Sequence, residues 1–499
     1  MDRLMALRLL NEAGYEAYLV GGCVRDMLLE NENMRKTGRL DSEHVRRAVD
    51  NASDIDITTN ALPDDIKRVF AGMQIIETGI RHGTVTVMIP VDDRRRSGEG
   101  SGGKATSDME ACGSGNYAGE ALMPVEITTY RIDAKYSDSR HPDRVEFTLS
   151  LREDLARRDF TVNAIAVDID GNVEDPFCGV KDIRSRLIKA VGNPDERFQE
   201  DALRIMRALR FAAVLGFDIE QETEAALFRS GHMLREISEE RILSEFKKLV
   251  TGANAGAVVR KYVDVLGAVI PELAAMKGFE QHNAYHKYDV LEHCVRAMEA
   301  IRTTDENRLH MKLAALFHDV GKPLTYSPDD NGRGHFYGHA AKGAELAAVI
   351  FSRLKADHAL SERICLLIKY HDLIFEKDER LLKKWMNRFT PQVLFEILEI
   401  KLADNFATGN MSERLRVKFE EIREMMEDIV RQGQCFSLKS LAVNGSDIIS
   451  IGISEGPEVG AVLNGLLDAV IDGRAPNEKG RLLELALEYK ETGSLKPEK

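Results

Sequence analysis

The spacing of apolar residues differs between the first third of the chain and the rest. Polar and apolar residues alternate in DIDITT, GTVTVMIPV and PVEITTYRID, as they do in strands with one buried face. From Asn193 onward, apolar residues recur at helical spacing almost to the end of the chain. The pattern predicts an α+β head with a small mixed or antiparallel sheet and helices, followed by an all-α remainder.

Changes in this pattern divide the chain into four predicted regions. They are a head over 1–170, a helical neck over 171–280, a second helical domain over 281–406 and a helical tail over 407–499. Two stretches interrupt the head without helix or strand periodicity, one polar over 31–53 and one rich in Gly and Ser over 92–123. Such composition favours flexible surface insertions, which we predict for both stretches.

Composition narrows the class of protein. Hydrophobic residues make up 43% and charged residues 30%, as in ordinary soluble globular proteins. No apolar run approaches the roughly 18–20 residues that span a bilayer, and the N-terminus lacks a signal-peptide cleavage site. Six scattered cysteines without a C-x-x-C pair argue against a zinc ribbon or a disulfide framework. We therefore predict a cytoplasmic protein with no membrane partner.

The net charge of −14 opposes non-specific binding to nucleic acid, because contacts with phosphate need cations. An acidic protein can still bind RNA where its cations line one channel. The neck carries clustered cations that could form such a channel, or could equally be solvated helix faces: Arg184, Arg186, Lys189, Arg204, Arg207 and Arg210.

Two neighbouring carboxylates follow a glycine turn in the head. Asp54 and Asp56 lie two apart on a predicted strand, so their side chains share a face and could bind Mg²⁺. Upstream, Gly21 and Gly22 stand between a strand and a helix start, where backbone N–H groups can approach phosphate. Arg25, one turn further, could hold a triphosphate through its fork of donors. The alternatives are a solvated strand face and a tight turn with a surface arginine.

The helix that begins after Asn193 carries a carboxylate and a guanidinium on one face. Asp201 and Arg204 are three residues apart, so they are neighbours on a helix. Taken alone, the pair is an ordinary salt bridge on a solvated helix.

Histidine and aspartate residues recur on separate predicted helices in the rear half. Imidazole and carboxylate ligands together suit a transition metal, and a water in an open position can become a nucleophile. Each residue alone is more typical of a core or surface position. The ordered set is His293, His318, Asp319, His339, His371 and Asp404.

Five motifs, in this order, carry a resemblance to a known family: LVGGCVRDMLL, SDIDITTNALPDDIKRVF, ETGIRHGTVTVMI, ARRDFTVNAIAVD and EDALRIMRALRF. Together they closely resemble the bacterial class II CCA-adding enzymes and poly(A) polymerases of the polymerase β nucleotidyltransferase superfamily. The order H, HD, H, HD, D over about 286–405 resembles the HD phosphohydrolase superfamily. The longer links over 31–53 and 92–123 depart from the usual family pattern.

The first resemblance implies roles for the head residues. Asp54 and Asp56 would be catalytic and bind Mg²⁺, so that an RNA 3′-hydroxyl attacks the α-phosphorus and pyrophosphate leaves. Glu126 could be a third carboxylate or an ordinary strand glutamate. The implied nucleotide contacts are Gly22, Arg25 and Arg158 to triphosphate and ribose, and Asp159 and Asn163 near the sugar.

The same resemblance makes the neck helix a reader of the incoming base. Asp201 would accept from the exocyclic amine of cytosine or adenine, and Arg204 would donate to a ring acceptor. Uracil and guanine present an oxygen instead, and an unpaired buried polar group costs roughly 1–3 kcal/mol. Arg207 and Arg210 would lie further along, towards phosphate or a switching network.

The second resemblance implies a metal core of His293, His318, Asp319 and Asp404, with His339 and His371 able to hold a second ion. Such a domain hydrolyses cyclic or terminal phosphates, or else remains only as a scaffold.

The leading hypothesis is addition of C, C and A from CTP and ATP to the 3′ end of tRNA, the acceptor end being held partly by the tail. Alternatives in the same class are a CC-adding enzyme, an A-adding enzyme and a poly(A) polymerase. Alternatives in other classes are an HD phosphohydrolase with a nucleotide-binding head and a non-catalytic RNA-binding protein. The sequence leaves the HD metal, the HD substrate and the oligomeric state open.

Overall fold

The computed structural model of the protein describes residues 4–30, 40–52, 54–77, 79–91, 121–133, 145–282, 287–303 and 305–492. The chain divides into two compact units, Met1–Asn254 and Ala255–Lys499. The predicted neck crosses this boundary, since residues 255–280 fall in the second unit. The division into four domains stays a prediction.

The first unit combines strands and helices. Its strands are β1 (Ala17–Val20), β2 (Asp56–Thr59), β3 (Gln74–Ile76), β4 (Thr84–Val91), β5 (Ala121–Thr129), β6 (Arg131–Asp133), β7 (Val145–Phe147), β8 (Ala166–Val167), β9 (Val173–Glu174), β10 (Leu187–Ile188) and β11 (Asp218–Ile219). Its helices are α1 (Met5–Glu12), α2 (Gly22–Glu30), α3 (Ser42–Asn51), α4 (Pro63–Val69), α5 (Leu151–Ala156), α6 (Gly179–Ser185), α7 (Pro194–Glu200), α8 (Leu203–Leu215), α9 (Gln221–Ser230) and α10 (Glu239–Thr251).

Seven strands form the main sheet of the first unit, in the order β3-β4-β5-β2-β1-β8-β9. β2 pairs parallel with β5, and the other neighbours pair antiparallel. Val85, Val87 and Ile89 of β4 are fully buried, because alternate side chains of a strand face the same side of its sheet. The predicted α+β head with a mixed sheet is therefore confirmed.

The segment after α2 differs from its prediction. Residues 42–51 form the helix α3, capped by Asp41, whose side chain accepts a hydrogen bond from the His44 N–H. Leu40, Val45 and Val49 are buried, and the two valines lie four apart on one helix face. The prediction of a flexible insertion over 31–53 is wrong for residues 40–51, since this apolar stripe packs. Residues 31–39 lie outside the described residues.

The second predicted insertion falls mostly outside the described part of the chain. Residues 92–120 are not described, and β5 begins at Ala121. The last three residues of the stretch predicted as flexible, 121–123, therefore belong to the sheet.

The helix predicted after Asn193 is two helices. Asn193 caps α7 by accepting from the Asp195 N–H at 3.0 Å, and Gly216 closes α8 with a left-handed φ of 64°. Between them the backbone turns extended at Asp201, with φ −145° and ψ 103°. Asp201 therefore stands at the break and not on a helix.

In the part of the second unit that the structure describes, the regular elements are helices and one hairpin. Its helices are α11 (Ala255–Leu266), α12 (Pro271–Met276), α13 (Val290–Ala300), α14 (Asp305–Phe317), α15 (Lys322–Thr325), α16 (His339–Arg353), α17 (His358–Tyr370), α18 (Glu379–Phe389), α19 (Pro391–Ala407), α20 (Glu413–Arg431), α21 (Gly445–Ser450), α22 (Pro457–Ile471) and α23 (Lys479–Thr492). The hairpin pairs β12 (Ser327–Pro328) with β13 (Gly334–His335). The helices of the tail bury a core of their own, which includes Ile448, Val462, Leu466 and Leu482.

Candidate functional site

The glycine turn of the head contacts the first residue of β2. Val20, at the end of β1, pairs in register with Asp56, so the turn that follows Val20 lies beside this carboxylate. Gly21 has a φ of +78°, and a Cβ there would lie 3.0 Å from Oδ2 of Asp56 and 3.8 Å from Nη1 of Arg158. Glycine is required here both by the left-handed backbone and by this close approach.

Carboxylates gather at the start of β2 and at the position of β5 that pairs with it. Asp56 pairs in register with Glu126, and Asp54 precedes the strand in an exposed position. Burial, Glu126 and Asp54 all raise the pKa of Asp56, against an opposing effect from Arg158. Asp54 lies outside β2, which corrects the prediction that both aspartates are on the strand. A divalent cation would relieve the repulsion between these carboxylates, so the donor set fits Mg²⁺.

Arg158 supplies positive charge beside this group. Its Nη2 lies 3.6 Å from Oδ2 of the buried Asp154, which Arg157 also contacts at 2.8 Å. Nε of Arg158 is buried and has no hydrogen-bond partner among the described residues. A buried donor without a partner next to Gly21 and Asp56 is what an anionic ligand would satisfy.

Asp159 and Asn163 connect α2 to α8. Asn163 accepts from Nη1 of Arg25 at 3.1 Å and donates to Oδ1 of Asp159 at 3.2 Å. Oδ2 of Asp159 accepts from Nε of Arg207 at 2.7 Å. Burial opposes the charge of Asp159, but Arg207 and Asn163 outweigh it and lower its pKa to about 2. These four predicted nucleotide contacts thus form one network.

Three arginines surround the ring of Phe211 on α8. The guanidinium carbons of Arg210, Arg25 and Arg207 lie 4.1, 5.2 and 5.5 Å from its centroid. Such contacts offset part of the repulsion between neighbouring cations. Arg210 also pairs with Glu245 at 3.1 Å. The aromatic ring therefore gathers positive charge near the network.

The partners of Asp201 and Arg204 differ from the prediction. Asp201 accepts from the N–H of Leu203, the first residue of α8, at 3.0 Å and pairs with Arg241 of α10 at 2.9 Å. Arg204 is buried and donates to Glu200 at 2.6 Å and to two backbone carbonyls. The predicted i,i+3 pair is not formed, because the helix breaks at Asp201.

Five predicted residues of the rear unit form two groups that share Asp319. The first group is His293, His318 and Asp319, and the second is Asp319, His339 and His371; within each group the ligand atoms lie within 4.8 Å of one another. Asp404 joins the first group, with Oδ1 at 3.0 Å from Nε2 of His293. The structure therefore brings all six predicted metal ligands together.

Separate helices place these ligands. His293 is on α13, His318 and Asp319 follow α14, and His339 begins α16. A Cβ on Gly321 would lie 2.3 Å from the carbonyl oxygen of His339, so only glycine lets the turn after α14 approach α16 this closely. Glycine at 321 thus brings Asp319 within 3.3 Å of His339.

The tautomers of the imidazoles fit a metal ion. Nδ1 of His339 lies 2.8 Å from the carbonyl oxygen of Phe336, and Nδ1 of His371 lies 2.7 Å from that of Ile368. A carbonyl only accepts, so these Nδ1 atoms carry the proton and the neutral rings present a lone pair at Nε2. The two Nε2 atoms are 3.2 Å apart. A cation that both lone pairs could bind would remove their repulsion.

Charges in this site support the same assignment. Burial lowers the pKa of His371 to about 4, so its ring is neutral at pH 7, as a metal ligand must be. Although burial opposes it, ionisation of Asp404 is favoured by His293 and His318, which hold its pKa well below the usual range. Lys322 pairs with Asp319 at 2.5 Å. Four of the six predicted ligands also line an open cavity of about 410 Å³: Asp319, His339, His371 and Asp404.

The sequence analysis did not predict some residues that contact the two sites. Arg241 and Glu245 lie four apart on α10, where they contact Asp201 and Arg210. Asp372 lies 3.2 Å from Nε2 of His339, and Lys401 lies 3.2 Å from Asp372. The second His-Asp dipeptide was a usable indication for Asp372, whereas nothing around Lys401 in the sequence distinguishes it from other helix lysines.

Three family models match parts of the chain. The Poly A polymerase head domain matches residues 17–95 and 105–189, and the HD domain matches 283–409. The model described as "Probable RNA and SrmB- binding site of polymerase A" matches 216–276.

Known proteins resemble the chain over most of its length. The CCA-adding enzyme of Limosilactobacillus reuteri is 31% identical over 491 residues, which is 98% of this chain and 96% of that protein. The CCA-adding enzyme of Lactobacillus helveticus is 40% identical over 272 residues, which is 54% of this chain and 55% of that protein. The crystal structure of the Bacillus stearothermophilus CCA-adding enzyme in complex with CTP aligns with a TM-score of 0.62 and 27% identity, over 99% of this chain and 98% of that one.

The fold, the motifs and the family models together define a nucleotidyltransferase that carries an HD domain. With a relative 31% identical over nearly its whole length, the chain belongs to the CCA-adding enzyme family. Among the described residues, no helix is both long enough and apolar enough to span a membrane.

Proposed function

We propose that this protein adds C, C and A to the 3′ end of tRNA, from CTP and ATP, with release of pyrophosphate. The observation that carries the proposal is the close approach of Gly21 to Asp56 and Arg158, with Glu126 in register beside it. One place thus offers a phosphate-binding turn, carboxylates for Mg²⁺ and a buried cation. The named relatives are CCA-adding enzymes, which favours this activity over poly(A) addition. We also propose that the protein is located in the cytoplasm.

Mg²⁺ held by Asp54 and Asp56 would supply positive charge for the attacking 3′-hydroxyl and the departing pyrophosphate. Gly22 and Arg158 would bind the triphosphate, since backbone N–H groups of the turn and the unsatisfied Nε point to one anionic ligand. Arg25 is buried against Asp26 and Asn163, so its proposed role is to hold the turn as well as to add charge. Asp159 and Asn163 would position the sugar.

Base selection is proposed to lie at the break between α7 and α8. The carboxylate of Asp201 is held by Arg241 and the Leu203 N–H, which leaves it oriented and 17% exposed. A fixed acceptor favours the amines of cytosine and adenine and rejects the oxygens of uracil and guanine. Arg204 would add a donor, with Arg207 and Arg210 as supporting charge on the same helix.

The HD site is proposed to bind divalent transition metal through its two groups and to hydrolyse phosphoesters. Water would add to phosphorus and one P–O ester bond would break, leaving a phosphomonoester and a free hydroxyl. The cavity next to His339 and His371 favours this activity over a purely structural role. The helices after residue 406 are proposed to hold tRNA, as predicted.

One assay tests the main proposal. Purified protein with Mg²⁺ and labelled CTP or ATP is given tRNA that ends before the first C, after CC, or complete. We expect CTP to extend the first substrate twice, ATP to extend the second once, and the complete tRNA to stay unchanged. Repeated addition of A to complete tRNA would instead identify a poly(A) polymerase, and use of only one nucleotide would identify a partial enzyme.

A further inference from the structure

A hairpin fixed by its own hydrogen bonds borders the HD cavity. Oδ1 of Asp329 accepts from the N–H of Arg333 at 2.9 Å, and Oδ2 lies 3.2 Å from Nε2 of His335. A Cβ on Gly334 would lie 2.5 Å from the carbonyl oxygen of Gln281, so the hairpin packs closely on that segment. Its side chains therefore have defined positions at the rim of the cavity.

Just after this hairpin, the ring of Tyr337 is stacked on one face and exposed on the other. The rings of Tyr337 and His335 are nearly parallel, at 4° between planes and 5.4 Å between centroids. The Tyr337 hydroxyl lies 3.4 Å from Nδ1 of His335. Tyr337 is nevertheless 78% exposed, so the face turned away from His335 is accessible.

The two rings line the same cavity as the metal-binding residues. Tyr337 and His335 border it together with His339, His371 and Lys401. His339 is only two residues from Tyr337, and its Nδ1 is hydrogen-bonded to the carbonyl oxygen of Phe336, the residue before Tyr337. A cavity of about 410 Å³ is within the size range of small-molecule sites. Its lining combines predicted metal ligands, cations and a flat aromatic ring.

These positions suit a substrate with a phosphate at one end and a planar group at the other. Lys401 and the predicted metal ligands that line the cavity could contact the phosphate, and Tyr337 presents a surface on which a nucleobase can stack. We propose that Tyr337, supported by His335, is the base-stacking residue of the HD site, which makes the site selective for phosphoesters that carry a nucleobase. The inference rests on the proposed hydrolase function of this site.

The test compares a cyclic phosphodiester of a nucleoside with one that has neither base nor ribose. Adenosine 2′,3′-cyclic phosphate carries a base, and glycerol 1,2-cyclic phosphate has the same five-membered ring without one. Full-length wild type, Tyr337→Ala and the matched control Tyr337→Phe are assayed with Mn²⁺, Ni²⁺ or Mg²⁺. We expect Tyr337→Ala to raise KM for the adenosine ester about tenfold or more with kcat nearly unchanged. The glycerol ester should be unaffected, and Tyr337→Phe should behave as wild type.

A second readout does not depend on hydrolysis. Light-activated 8-azidoadenosine 3′-monophosphate is crosslinked to each full-length protein, and the labelled peptides are mapped by mass spectrometry. We expect label on residues 333–337 in wild type and Tyr337→Phe, and its loss in Tyr337→Ala. Bound metal per chain and thermal unfolding show whether each variant keeps its site and fold.

The outcomes separate this inference from the hydrolase proposal. If wild type cleaves neither ester, the hydrolase function is wrong, and label on residues 333–337 then still supports a base-binding surface. If wild type cleaves both and Tyr337→Ala lowers both equally, or leaves the labelling unchanged, base stacking at Tyr337 is wrong.

Discussion

The carboxylate site of the head and the histidine site of the rear unit both offer ligands for a metal cation, but they differ in donor type and in exposure. In the head, Asp54 is exposed and Asp56 is partly exposed at the end of a strand. In the rear, His293, His318, Asp319 and His371 are at most 1% exposed. Mg²⁺ is usually bound by one or two protein carboxylates together with phosphates of the substrate. Imidazole ligands instead suit transition metals. An open site therefore suits a metal that arrives with its nucleotide, and a buried one suits a resident metal.

Substitution of Asp56 should have the largest effect on one activity and none on the other. Asp56→Asn removes a carboxylate ligand, and metals contribute several kcal/mol to charge stabilisation in the transition state. We expect nucleotide addition to fall at least about a thousandfold, with hydrolysis at the HD site unchanged. Asp64→Asn, an exposed carboxylate of the same unit, is the matched control. Incorporation within about tenfold of wild type would refute the metal assignment.

The converse substitution is Asp319→Asn, at the residue common to both metal groups of the rear unit. We expect metal affinity to fall about a hundredfold or more while nucleotide addition continues. Metal bound per chain, measured after dialysis, checks this. Because Asp319 also pairs with the buried Lys322, His339→Gln is made in parallel and should weaken only the second group. Exposed Asp330→Asn is the control, and full metal retention by both test variants would count against the site.

Within the first unit, Asp201→Asn tests the proposed division between catalysis in the head and base selection in the neck. Asparagine can keep the hydrogen bond from the Leu203 N–H, but its amide offers a donor to the oxygens of uracil and guanine. We expect the preference for CTP and ATP over UTP and GTP to fall about tenfold to a hundredfold, with little change in the KM of the correct nucleotides. Single-nucleotide incorporation assays measure this ratio. An unchanged ratio in a stably folded variant would exclude base reading by Asp201.

The smallest effect is expected on stability, at the Asp159–Arg207 pair. The pKa of Asp159 is about 2 in the folded protein, below its value in the unfolded chain. The carboxylate therefore stabilises the fold at neutral pH, and this contribution is lost as the pH falls from about 4 to 2. Asp159→Asn should lower the free energy of unfolding by about 2 kcal/mol at pH 7. Urea unfolding from pH 7 to pH 3 should show this difference shrinking below pH 4. A constant difference across that range would show that Asp159 acts through packing and not charge.

The two sites also differ in how far the sequence predicted them. All six residues that the structure brings together in the rear site were predicted, because their order along the chain resembles that of the HD superfamily. In the first unit, Asp56, Gly22 and Arg158 were predicted from motifs, but Asp54 precedes the strand and Arg204 is paired with Glu200. Arg241 and Glu245 were not predicted, since residues 40 and 35 positions from their partners leave no local pattern.

By itself, the sequence determined the α+β head, the helical remainder and the identity of the main chemical groups, because periodicity and residue type are local properties. The tertiary structure alone decided that residues 42–51 form a packed helix, that the helix after Asn193 breaks at Asp201, and that Tyr337 stands over the HD cavity. Each of these depends on what a side chain meets from a distant part of the chain. The burial of a side chain and its polar partners are set by the folded chain, so a local sequence pattern does not predict them.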